Sequence, residues 1–143
     1  MPVRLLIASA AVAACAFLAP ARAQDTAAEA YAEMEERFGF VPGFMKEYPQ
    51  SGIVGAWILT RDMEMARDTA LSPKVKALIN IAVAAQIPCR YCVYLDTLTA
   101  RSEGATDEEI REAVAQAGLT RHWSTVLNGM QVDFDAFRAE FAE

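Results

Sequence analysis

Three cysteines and a single histidine are few ligands for a 143-residue chain. A tetrahedral zinc site wants four such ligands, and no second cysteine pair exists to complete one. Positive charge is also short: 13 Lys and Arg stand against 19 Asp and Glu, a formal net charge of −6. That balance repels phosphate backbones, and no basic stripe interleaved with aromatics offsets it, which argues against a nucleic-acid partner. Beyond the first 18 residues no apolar run is long and unbroken enough to span a bilayer. Alternating strand patterns are nearly absent, as are internal repeats, low-complexity tracts and linkers. The length suits one domain.

The N-terminus reads as a signal peptide. A short positive start (Met1 to Arg4) precedes an apolar run from Leu5 to Leu18, and Ala21-Arg22-Ala23 offers the small residues that a signal peptidase reads. Cleavage before Gln24 removes residues 1–23, including Cys15, and leaves a periplasmic or secreted domain over 24–143 with a formal charge of −8. The apolar run is short for a retained anchor. A lipoprotein anchored at Cys15, after Val12-Ala13-Ala14, is the less favoured alternative.

Helical punctuation is dense in the remainder. A first helix runs from Asp25 to Phe38, with Tyr31, Met34 and Phe38 on one stripe and Gly39 as C-cap. Pro42 interrupts the apolar stretch Phe40 to Phe44, read as a packed lid or a subunit contact. A second helix starts near Ser51. Ser72 and Pro73 form an N-cap and first helical position for a third, apolar on every face around Leu78 to Ala85 and therefore expected at the buried centre. Pro88 ends it. A fourth runs from about Pro88 to Glu103, closed by Gly104. Thr106 and Glu109 make a capping box for a fifth that Gly118 closes. A sixth buries Trp123, Val126 and Leu127, and a last one from Asp133 aligns Phe134, Phe137 and Phe141. The expected fold is all-α, a bundle of about six to seven helices.

Cys89-Arg90-Tyr91-Cys92 stands at the start of the fourth helix. There the unpaired amides and the positive end of the helix dipole stabilise a thiolate, and Arg90 adds positive charge. Three readings stay open: a redox pair, a structural disulfide, or part of a metal site. So short a ring contributes only about 2 kcal/mol of loop-closure stabilisation, against about 3 for a 15-residue loop. A staple would instead join distant elements, and an exported chain meets an oxidising environment in which the two can pair.

Leu71-Ser72-Pro73-Lys74, the alanine-rich helix Ile79 to Gln86, Pro88-Cys89-Arg90-Tyr91-Cys92 and Gly104-Ala105-Thr106-Asp107-Glu108-Glu109-Ile110 follow one another in an order that resembles the carboxymuconolactone decarboxylase and AhpD-like alkylhydroperoxidase family. The resemblance covers about residues 71–133. It implies an all-helical AhpD-like fold assembled as a trimer or hexamer; no cofactor or metal is expected. In its AhpD-like members the cysteine pair reduces peroxides: the residue matching Cys92 attacks, and the one matching Cys89 resolves. True decarboxylases generally lack the pair.

The same resemblance implies a glutamate twelve residues before the first cysteine and a histidine four after the second, and here those positions hold Ala77 and Asp96. Asp96 lies one helical turn beyond Cys92, on the same face. Its carboxylate disfavours a neighbouring thiolate, and at an ordinary acidity it is a weak base, so it reads either as a proton acceptor or as a solvated helix residue. His122 reads either as a boundary residue or as a replacement base from another helix or subunit. Tyr91 and Tyr94 are candidate donors near the pair, or simply packed aromatics.

The expectation is an exported thiol-disulfide oxidoreductase, with peroxidase activity as its sharper form, acting on a peroxide or disulfide through Cys89, Cys92, Asp96 and His122. An exported thiol reductant must then restore the dithiol. The alternatives are a non-catalytic oligomeric scaffold with a permanent bridge and a decarboxylase-like enzyme.

Overall fold

The structure, a computed structural model, describes residues 26–142. The expected signal peptide, Cys15 and the cleavage before Gln24 lie outside the described residues. The chain divides into two compact units at Val54–Gly55.

In the first unit, α1 (Ala27–Phe38) begins at Thr26, whose hydroxyl accepts the Glu29 amide at 3.2 Å while the Glu29 carboxylate accepts the Thr26 amide. These exchanges satisfy two of the amides that a helix start leaves orphaned. Gly39 ends the helix at φ 78°, a left-handed conformation that suits glycine. Ala30 and Met34 are fully buried. The Tyr31 hydroxyl donates to the Met45 carbonyl at 3.4 Å, tying α1 to the short α2 (Gly43–Glu47), which follows Pro42. Phe40 and Phe44 in the expected lid segment are exposed. Helix α3 (Gln50–Leu59) crosses the boundary between the units.

The second unit continues α3 into a π-helical turn, Thr60–Glu64, and then forms α4 (Pro73–Gln86), α5 (Arg90–Ser102), α6 (Asp107–Gly129) and α7 (Phe134–Glu140). Helix α4 packs against both α5 and α6. Ala77 and Ile81 of α4, Ala100 of α5 and Ala105 form the core, with Leu78 and Ile110 against it. Ser72 and Pro73 start α4 as expected, with the Ser72 hydroxyl accepting the Val75 amide. Thr106 and Glu109 start α6 as a capping box, and Gly104 turns the chain between α5 and α6 at φ 82°.

Three expectations need correction. Helix α4 is not buried on every side: Ala77, Ile81 and Ala84 face inward, but Val75, Ile79 and Val83, four residues apart, form an exposed stripe on the single chain. Gly118 closes nothing, because one helix of 23 residues replaces the expected fifth and sixth. An internal glycine costs only about 1 kcal/mol, and tertiary bonds hold the helix across it. Gln86 at the end of α4 donates to the Ala117 carbonyl at 2.6 Å and accepts from Arg121 Nε at 2.8 Å, gripping α6 on both sides of Gly118. Trp123 is half exposed rather than buried, while Val126 and Leu127 are partly covered. Among the described residues there is no strand, and no helix is long and apolar enough to cross a membrane.

Ile81 is 1 % exposed and Val83 is 52 % exposed. Denaturant unfolding should therefore show a loss of about 2–4 kcal/mol for Ile81→Ala. Val83→Ala should lose under about 1 kcal/mol when the chain is monomeric.

Candidate functional site

The site is built at the start of α5. After α4 ends, the Cys89 amide donates to the Ala84 carbonyl at 3.0 Å, which folds the connection back onto the last turn of α4. Cys89 then serves as the N-cap: its sulfur accepts the Cys92 amide at 3.2 Å. Helix α5, the expected fourth helix, thus starts one residue beyond the pair's first cysteine. Cys89 and Cys92 are joined as a disulfide with a Cα–Cα distance of 5.4 Å, and both are half-buried. The two sulfurs are not equivalent, since only that of Cys89 receives a helix amide.

Arg90 lies over the Tyr91 ring, 5.0 Å from its centroid, and donates to the Tyr91 hydroxyl at 3.1 Å. The exposed Tyr91 hydroxyl is therefore engaged with arginine rather than with sulfur. Tyr94, Val93 and Leu98 line an apolar groove of about 600 Å³ beside the pair, with Ala84, Pro88 and Arg90 among its other walls.

Asp96 falls one turn after Cys92 and one turn before the fully buried Ala100, on the face that α5 turns inward. It is 8 % exposed, the one charged side chain buried among the described residues, so it is not a solvated helix residue. Burial pushes its carboxyl up from 3.8 to about 6, and the negative charge of Glu64 adds to the rise. A carboxyl that titrates near neutrality is a far better proton acceptor than an ordinary aspartate.

Glu64 was not singled out by its position in the sequence. It closes the π-helical turn, where Asn80 Nδ2 of α4 donates to its carboxylate at 3.4 Å. One turn earlier on α4, Lys76 Nζ donates to the Met63 and Ala66 carbonyls, each at 2.7 Å. The extra residue in a π turn shifts every later side chain off the 3.6-residue register, so a helical reading cannot place Glu64. Ala77 is a core residue with nothing to titrate. His122 is exposed on α6, its ring edge-on to Trp123 at 5.2 Å, and the chain's own fold does not bond it to the cysteine pair. Among the described residues no group of three or more His, Cys, Asp and Glu side chains converges on a cation site.

The profile of the carboxymuconolactone decarboxylase family matches residues 53–133, more than half of the chain. The chain belongs to that family. The match begins well before residue 71, so the π turn and Glu64 fall inside it. The fold is that of the crystal structure of the alkylhydroperoxidase AhpD core from Rhodospirillum rubrum, with a TM-score of 0.68 and 21 % identity over 88 % of this chain and 99 % of that one. An uncharacterized protein of the cox locus of Paracoccus denitrificans is 45 % identical over 54 residues, which span 38 % of this chain and about half of that relative, 49 %. The AhpD-like all-helical bundle expected from the motifs is thereby borne out.

Holding Asp96 where it is destabilises this family member above neutrality. Its folded carboxyl binds a proton more tightly than the unfolded one, so stability is highest below the unfolded value and falls as pH rises from about 4 to about 6. The cost at pH 7 is on the order of 2–3 kcal/mol. Asp96→Asn should raise the melting temperature at pH 7.5, and the gain should shrink to nothing near pH 4. An equal gain at both pH values would rule out this account of Asp96.

Proposed function

We propose that this protein is a thiol-disulfide oxidoreductase that cycles Cys89 and Cys92 between dithiol and disulfide. One arrangement carries the reading: a bridge that caps α5, with a buried, near-neutral carboxyl one turn behind its second cysteine. A permanent staple has no need of that carboxyl, and perturbed carboxyls of this kind concentrate at working sites.

The asymmetry of the two sulfurs supports distinct roles for them. In the dithiol, the Cys92 amide and the start of α5 stabilise a thiolate on Cys89. That thiolate attacks one sulfur of a substrate disulfide, forming a mixed disulfide and releasing the first substrate thiol. Cys92 then gives its proton to the Asp96 carboxylate and attacks the Cys89 sulfur, expelling the second substrate thiol. Two electrons pass from the cysteine pair to the substrate disulfide. An external dithiol returns them.

Peroxidase activity is the second reading, supported by the likeness in fold to an alkylhydroperoxidase core. There the Cys92 thiolate attacks a peroxide oxygen, an alcohol departs, and the resulting sulfenic acid condenses with Cys89, releasing water. With a signal peptide removed, either reaction takes place outside the cytoplasm and draws on an exported thiol reductant. The exposed stripe of Val75, Ile79 and Val83 supports an oligomer, and in that assembly a second copy is the source from which His122 would reach the pair.

The reduction potential separates these readings from a non-catalytic scaffold. A value near −200 mV is expected for a working couple, and one well below about −300 mV would leave only a structural bridge. The roles of the sulfurs are tested by trapping. Cys92→Ser should form a mixed disulfide with an aromatic disulfide reagent at pH 7 about threefold faster than Cys89→Ser if Cys89 is the more acidic by one pH unit, since the gain in thiolate is partly offset by its weaker nucleophilicity. The reverse order would transfer the attacking role to Cys92, as a peroxidase requires.

A further inference from the structure

The groove beside the cysteine pair is shaped by one face of α5. Arg90, Tyr94, Leu98 and Arg101 recur along that face at helical spacing, with Val93 at its edge. It is not the face that carries Asp96 and Ala100 inward. Ala84, from the last turn of α4, and Pro88 beyond it make the facing wall. Pro88 and Arg90 bracket Cys89 in the chain, so one end of the groove opens at the pair. At a helical rise of roughly 1.5 Å per residue, Arg90 and Arg101 stand about 16 Å apart along the axis. A space of about 600 Å³ is of the size that small molecules occupy.

The two ends differ in charge. At the far end Arg101 is closed: its Nε and Nη2 both donate to the Asp107 carboxylate, at 3.0 and 2.9 Å. At the cysteine end no carboxylate of the described residues pairs with Arg90. Its guanidinium lies over the Tyr91 ring, 5.0 Å from the centroid, and donates to the neutral Tyr91 hydroxyl at 3.1 Å. Those contacts hold the guanidinium without neutralising it, and its remaining donors suit a carboxylate. The chain has 19 acids against 13 Lys and Arg, which makes an uncompensated arginine beside the thiols notable. Thr97 offers the groove little, because its hydroxyl turns back to the Val93 carbonyl at 2.6 Å.

We infer that the pair takes small disulfides bearing an anionic group a few bonds from sulfur and an apolar body. The anion meets Arg90, and the body lies over Val93, Tyr94 and Leu98 toward Arg101. Arg90 is thereby the residue that sets substrate preference. The inference rests on the thiol-disulfide reading above. In the exchange the reduced pair gives two electrons to the bound disulfide, whose S–S bond breaks as the Cys89–Cys92 bond forms. The two protons of the dithiol leave with the two small thiols released.

One test uses the oxidised full chain and needs no turnover. Phenylbutyrate is titrated while the amide resonances of Val93, Tyr94 and Leu98 are followed by NMR. Phenylbutanamide serves as its uncharged counterpart, and acetate as the anion without a body. Phenylbutyrate should bind about three- to fivefold more tightly than the amide, as one solvent-exposed ion pair allows. That preference should vanish in Arg90→Gln and shrink in molar salt. Acetate at the same concentrations should leave the three resonances unmoved. A second test reacts the reduced chain at pH 7 with dithiobis(nitrobenzoate), an anionic aromatic disulfide, and with neutral dithiodipyridine. Arg90→Gln should lower the ratio of the two rates by a similar factor, because any change in thiol acidity divides out. Arg101→Gln should leave the ratio as it is. An unchanged ratio in Arg90→Gln, or an equal fall in Arg101→Gln, would overturn the inference. Resonances that move with protein concentration and not with phenylbutyrate would overturn it too, by making the groove a contact between copies. Anion-selective binding together with the low reduction potential of a structural bridge would keep the ligand site and reject the redox reading. Absent selectivity together with the potential of a working couple would reject the role of Arg90 alone.

Discussion

Close packing of α4 on α5 is the constraint from which the site follows. Ala77 and Ile81 of α4 share one buried cluster with Ala100 of α5, and side chains on the same stripe of α5 are turned toward it. Asp96 is one turn from Ala100 on the stripe, and Cys92 is one turn further. The same contact that builds the core therefore desolvates a carboxyl and sets it behind a sulfur. Fold and chemistry share one interface, because the i, i+4 geometry of a helix carries the core directly to its N-terminus.

The helix start completes the arrangement from the other side. Cys89 as N-cap takes up the Cys92 amide, so one sulfur stands in the positive field of the helix end while the other is backed by an acid. The two chemically identical groups thus stand in different environments. The residues that resemble the AhpD-like family set the pair in its familiar place, but two positions around it differ. An alanine occupies the position of the family glutamate and an aspartate that of its histidine, and the aspartate is buried.

Much of this was legible beforehand because it is local. The caps at Ser72 and Thr106, the stops at Gly39 and Gly104 and the helix-initiating cysteines all depend on residues within one turn of each other. The misreadings were all non-local. Gly118 looks like a stop until Gln86 grips the helix on both sides of it. The apolar third helix looks central until its Val75, Ile79 and Val83 stripe is found facing outward. Glu64 carries no signal at all, because the π turn that aims it breaks the periodicity by which helical faces are read.

The sequence by itself determined the helices, their starts, the family and the place of Cys89 and Cys92, since each is encoded by spacing and capping chemistry along the chain. Tertiary structure alone decided what Asp96 is. Whether a carboxyl is a solvated surface charge or a buried group that ionises only near pH 6 depends on the dielectric around it first and on nearby negative charge second. Those neighbours come from segments 16 and more residues apart, and nothing in the local spacing of Asp96 foretells them.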